Sequence, residues 1–158
     1  MRSNILIVFF ILLGYSSSAL NSDINELRGL YLLAPFSEVG CNNFGLYLDD
    51  FPDKSSVLIQ AYRGCFYFIK CQFADNNFDK LRYFKKGKKL LESAIKRAPN
   101  LVELRFLRYT IQIETPRFLL YYDNIEKDLT FVNENISKIN NKDTQLYILS
   151  SIEAINNK

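Results

Sequence analysis

The sequence predicts an all-α domain of about six or seven helices packed as antiparallel pairs. Three observations carry this. Apolar residues recur at i, i+3, i+4 and i+7 through most of the chain, the spacing of one helix face. Proline, or clusters of Asn, Asp and Gly, punctuates those segments at short intervals. No alternating apolar–polar stretch is long enough to argue for a strand.

The first residues stand apart. Arg2 precedes an unbroken apolar run of nine residues, Ile5 to Leu13. Gly14 and Tyr15 break it, and Ser17 and Ala19 then sit at the −3 and −1 positions of a cleavage site. As a helix the run reaches about 13–14 Å, far short of a hydrocarbon core of roughly 30 Å. A cleaved signal peptide is therefore expected over residues 1–19, with export to the periplasm or beyond the cell. Residues 20–158 are expected to form one helical domain, 139 residues with a net charge of +2 once Arg2 is lost. That length buries a core without staples.

Helices follow in order. Ser22 to Ala34 places Ile24, Leu27, Leu30 or Tyr31, and Ala34 on one face, with Ser22 or Asp23 as cap and Pro35 as stop. Ser37 to Asp50 is weaker, because Gly40, Asn42, Asn43 and Gly45 interrupt it. Asp49 to Asp53 reads as a turn. Ser55 to Phe73 is strong, with Leu58, Ala61, Tyr62, Cys65 and Ile69 on one stripe and Ile59, Phe66 and Phe73 on another. After the loop Ala74 to Asn77, Phe78 to Ala98 is the clearest amphipathic helix, with a core stripe of Phe84, Gly87, Leu91, Ala94, Ile95 and Ala98. Gly87 on that stripe costs about 1 kcal/mol against Ala, which close approach of a neighbouring helix would offset.

Pro99 stops that helix. Asn100 and Glu103 then have the spacing of a capping box for Leu101 to Glu114. Two faces of this helix are apolar, which predicts a place between neighbours. Thr115-Pro116 ends it, and Phe118 to Tyr122 forms an aromatic connection, read as core packing or as an exposed partner patch. Asn124 to Ile139 and Asp143 to Ile155 complete the set, separated by Asn140-Asn141.

Composition narrows function. There is no His, which removes Ser-His-Asp and Cys-His catalysis, His-ligated zinc and a His pH switch. There is no glycine-rich phosphate loop and no zinc spacing. With 48% apolar and 23% charged residues, the chain is neither disordered, collagen-like nor a multi-span membrane protein. A net charge of +3 is weak support for nucleic acid or an anionic membrane. Cys65 and Cys71 are about 9 Å apart along one helix and cannot pair there. Cys41 remains open to either, or all three stay reduced as small hydrophobes.

Gly87, Leu91, Ala94 and Pro99-Asn100 resemble the second helix and exit of a tetratricopeptide repeat, with Gly64 and Tyr67 at the small and aromatic positions of the first helix. The likeness spans part of Leu58 to Ile139 and implies stacked helix pairs, an α-solenoid fragment. Tyr83 to Arg108, Ile111-Gln112 and Asn124 to Asp128 are also similar to small exported proteins of Bacteroidetes-type bacteria. That resemblance implies a bacterial exported helical domain and carries over no catalytic residue.

In stacked pairs the first helices line a shared concave face. Two polar stripes would lie there: Gln60, Arg63, Tyr67 and Lys70 on one helix, and Arg105, Arg108 and Gln112 on the other. Facing one groove, they would hold an acidic peptide or a free carboxylate, which Arg grips bidentately. The competing reading pairs Arg105 and Arg108 with Glu103, Glu114, Asp123 or Asp128 to fix helix packing. Lys85-Lys86-Gly87-Lys88-Lys89 is either a solvated helix face or a patch for anionic lipid, glycan or nucleic acid.

The expected function is protein or peptide binding, or scaffolding, by an exported non-enzymatic protein. Catalytic, metal and cofactor sites are not expected, nor nucleic acid, nor stable membrane insertion after signal cleavage. A small carboxylate-dependent hydrolase and a lipid-binding helical module are the alternatives.

Overall fold

The computed structural model describes residues 22–157, and the predicted signal peptide lies outside them. Those residues are all-α. Seven helices follow in order: α1 (22–33), α2 (Glu38–Asp50), α3 (Val57–Lys70), α4 (Asn77–Arg97), α5 (Val102–Glu114), α6 (Ile125–Asn135) and α7 (Lys142–Asn156). Single 3-10 turns fill four of the junctions.

Local chemistry sets most boundaries. Ser37, Asn76 and Asn141 cap α2, α4 and α7, their side-chain oxygens accepting from Gly40 N, Asp79 N and Thr144 N. These caps satisfy amides that the helix cannot. Pro35 sits in the turn that closes α1. Asp53 Oδ1 accepts from the amides of Ser55 and Ser56, an Asx turn that launches α3. Two helices are shorter than their periodicity: α3 ends at Lys70 and α6 at Asn135, each finishing in a 3-10 turn.

Consecutive helices pack in antiparallel contact pairs, α2 on α3, α3 on α4 and α5 on α6, in keeping with a helical-repeat arrangement. The tightest crossing is α3 on α4. A Cβ on Gly64 would lie 2.9 Å from Leu91 N, and one on Gly87 would lie 2.9 Å from Gly64 O. Both positions must be bare for the backbones to meet. The close approach expected at Gly87 is therefore present. The α4 stripe is also as expected, with Gly87, Leu91, Ala94 and Ile95 buried.

α5 is the central element. It packs on α3, α4, α6 and α7, and hydrogen bonds tie it to α1. Nine of its residues are buried, which explains its two apolar faces. Glu103 differs from expectation. It does not cap α5, whose N-cap Leu101 has no side-chain cap bond. Glu103 is buried and accepts from Arg28 and Tyr62 instead. The aromatic connection divides: Tyr121 is buried, with its ring stacked 5.6 Å from Phe68, whereas Phe118 and Leu120 are exposed. All three cysteines are free.

Candidate functional site

The seven residues of the two polar stripes do not line one groove. Gln60 accepts a 2.6 Å bond from Arg97, and Arg63 donates to Asp49 and to Leu48 O at 2.5 and 2.7 Å. These two side chains fasten α3 to its neighbours. Arg108 is buried. Its Nε and Nη2 grip both oxygens of Asp128 at 2.6 and 2.9 Å, and its Nη1 donates to Glu92 at 2.8 Å. Arg105 donates to the same Asp128 at 3.0 Å and to Pro99 O at 3.1 Å. Gln112 is buried and accepts from Asn124 N at 3.1 Å; its Nε2 lacks a partner.

Arg108 and Gln112 are thus buried in the bundle and do not line an open groove, whereas Arg105 is partly buried and lines a second cleft of about 310 Å³ with Lys127, Phe131 and Glu134. α5 lies inside the bundle, so its cations are taken up by α6 and α4. Fully buried Asp128 would be untenable as a lone charge, and two arginines compensate it. Burial works against the Arg108 charge, yet the bonds and field of Asp128 outweigh it, leaving its pKa raised. A matching cluster joins α1, α3, α5 and α7. Arg28 grips Glu103 at 2.9 and 2.7 Å and reaches Thr144 at 2.9 Å, while Tyr62 donates to Glu103 at 2.6 Å. Burial likewise opposes the Arg28 charge and Glu103 outweighs it.

Tyr67 and Lys70 have a different setting. The chain closes α3 in a 3-10 turn and restarts at the Asn76 cap, so the end of α3 and the start of α4 form one rim. The first turn of α2 supplies the other. Between them lies a cleft of about 190 Å³, lined among others by Glu38, Cys41, Lys70, Phe73, Asp75 and Tyr83. The Lys70 ammonium is 5.4 and 5.3 Å from the ring centres of Phe66 and Tyr83. It takes no part in the ion pairs of the described residues. Tyr67 stacks on Tyr83 at 6.1 Å, and Lys86 lies 4.1 Å above Tyr67. Exposed contacts of this kind are each worth about 0.5–1 kcal/mol. They hold the rim in place and leave Lys70 able to receive an anion.

Thiol chemistry has little support at this rim. Burial raises the Cys41 pKa against the field of Lys70, and burial pushes Cys71 up to about 11. Among the described residues no group of three His, Cys, Asp or Glu side chains converges as a metal site. Tyr83 and Phe73 complete the cleft without having been singled out as site residues. Tyr83 falls four residues before Gly87, and that helical register was the available signal.

No family model matches this chain, and neither a curated protein nor a solved structure does.

Proposed function

We propose that this chain is an exported helical binding module that recognises a carboxylate-bearing peptide segment at the Lys70 cleft. The observation that supports this is a lysine ammonium held over two aromatic rings at the rim of an open cleft, outside the ion pairs of the fold. An ammonium left to water gains from a carboxylate that dehydrates beside it, and the flanking rings supply an apolar bed for the adjoining side chain. Glu38 and Asp75 on the cleft wall, with Asp79 already paired to Arg82, favour a segment in which a base lies near the acid. The role is non-enzymatic and sits outside the cytoplasm, in the periplasm or at the cell surface.

The test is fluorescence anisotropy of the full chain with labelled peptides carrying neighbouring Glu and Lys, compared with Gln-substituted copies. Lys70→Gln is expected to weaken binding of the Glu peptides about tenfold, the worth of one charge-assisted bond. Equal binding of Glu and Gln peptides, with no effect of Lys70→Gln, would remove the proposal.

A further inference from the structure

Charge is not spread evenly along the chain. Residues 77–97, the span of α4, hold eight Lys or Arg and two Asp or Glu, a net +6. All other residues hold twelve and fifteen, a net −3. On α4 the residues Phe78, Leu81, Arg82, Lys85, Lys89 and Lys96 share one side by helical spacing, and all are exposed. The opposite side is the buried stripe against α3.

The loop after α5 extends this outer face. Tyr121 lies 6.1 Å from the Phe84 ring, and the Lys88 ammonium is 4.7 Å above Tyr121. Residues 117–122 therefore flank α4 on the side that bears Leu81. From this loop Phe118 and Leu120 stand out at 81% and 68% exposure. Leu120 adopts φ 51°, the one left-handed non-glycine residue among those described. A Cβ is disfavoured in that conformation. Leu120 thus closes the 3-10 turn in a disfavoured backbone conformation, its N–H donating to Arg117 O at 3.1 Å, and holds a large apolar side chain in water.

We propose that the outer face of α4 and the 117–122 loop form a docking surface for an anionic phospholipid bilayer. Phe78, Leu81, Phe118 and Leu120 enter the boundary between headgroups and acyl chains, and Lys85 and Lys89 meet the phosphates, while Arg82 is paired with Asp79 at 2.8 Å. Charge complementarity selects the anionic surface. Protruding leucines select a bilayer over a soluble polyanion. Nucleic acid is met by cations and by flat aromatic stacking, which would use Phe78 and Phe118 but not the leucines, whereas Leu81 and Leu120 gain only by leaving water. No helix among the described residues is long and apolar enough to cross a membrane, so the contact is peripheral. Arg82 touches Asp79 and Tyr83 of the Lys70 cleft, but Lys85, Lys89, Phe118 and Leu120 do not line it, so variants at those four positions test this face separately from the peptide reading.

The test is co-sedimentation of the full chain with phosphatidylglycerol–phosphatidylcholine vesicles and with pure phosphatidylcholine vesicles at low salt. Lysine acetylation read by mass spectrometry reports which residues the vesicles cover. Binding is expected on the anionic vesicles alone, with Lys85 and Lys89 protected. The double variant Lys85→Gln/Lys89→Gln is expected to bind about 25-fold more weakly, at roughly fivefold per basic residue. Phe118→Ser/Leu120→Asn is expected to weaken vesicle binding about tenfold and leave heparin binding unchanged; Asn tolerates the left-handed backbone. All four positions are exposed, and circular dichroism checks that the variants stay folded. Three results would overturn the proposal. One is no sedimentation with either vesicle. A second is sedimentation with Lys85 and Lys89 unprotected, which assigns binding to another segment such as Ile5 to Leu13. The third is vesicle binding indifferent to Phe118→Ser/Leu120→Asn, which assigns the face to a soluble polyanion.

Discussion

The α5 interior and the α4 exterior use cations in opposite ways. Arg28 and Arg108 are buried and grip carboxylates with two donors each, whereas every described lysine keeps at least part of its surface in water. The chemistry of the two side chains accounts for the division. A guanidinium is weakly hydrated and its planar fork matches a carboxylate, so dehydration costs less and returns two bonds. An ammonium is a strongly hydrated point charge and stays outside, where Lys86 and Lys88 spend their stems over the rings of Tyr67 and Tyr121. The buried arginines hold helices together, and the lysines stay at the surface of the bundle.

Asp128→Ala should break the interior half of that comparison and give the largest effect. It leaves Arg108, and in part Arg105, as dehydrated cations, with Glu92 as the one remaining carboxylate on Arg108. Removing one partner of a buried pair costs about 3–5 kcal/mol. Urea denaturation should show a large fall in midpoint, or no cooperative transition at all. A midpoint within experimental scatter of the parent would mean that Asp128 does not carry the α5–α6 contact. Gly87→Ala should come next. Its Cβ would press on Gly64 O and on the Phe68 ring, both at 2.9 Å, so the α3–α4 crossing must widen. Overpacking of this kind costs about 1–3 kcal/mol, exceeding the ~1 kcal/mol that Ala gains in helix propensity. A stabilised variant would show that the crossing has slack.

What the sequence discloses divides along the same line. Helix positions were legible because 3.6-residue periodicity is local, and Gly87 was legible because a bare residue on an apolar stripe needs a neighbour. Partner choice was not local. Glu103 has the spacing of a cap, yet its partner Arg28 lies 75 residues away and was not singled out. For Arg108 the carboxylates within reach in sequence included Asp128, but nothing in the spacing ranks Asp128 above Asp123. Position on α5 decides it, because the α5–α6 pair sets position 128 against 105 and 108. The outer face of α4 was legible residue by residue and concealed by averaging: a net +3 contains a helix of +6. The loop carrying Phe118 and Leu120 gave no periodic signal, and its split between buried Tyr121 and exposed neighbours follows from a backbone conformation that composition does not encode.

The smallest effect is on the pH profile, which is flat near neutrality and falls only in alkali. Burial raises the phenol of Tyr62 well above 10.0, with the charge of Glu103 adding to it, and burial does the same for Tyr147. Burial also raises Cys71 from 9.0 to about 11. In each case the folded state keeps a proton that the unfolded chain releases. Stability from these groups is therefore fully present below about pH 9 and is lost as pH rises through the folded values. Melting temperature should be flat from pH 7 to about 9 and fall from there upward. Tyr62→Phe should flatten the fall above about pH 10, because it deletes a titrating group, while costing stability at pH 7 through the bond lost to Glu103. A Tyr62→Phe protein with the parent's alkaline slope would place the pH sensitivity elsewhere, and the remaining test of the interior network would be Glu103→Gln. That variant keeps the shape of the side chain and removes the charge that both Arg28 and Tyr62 depend on.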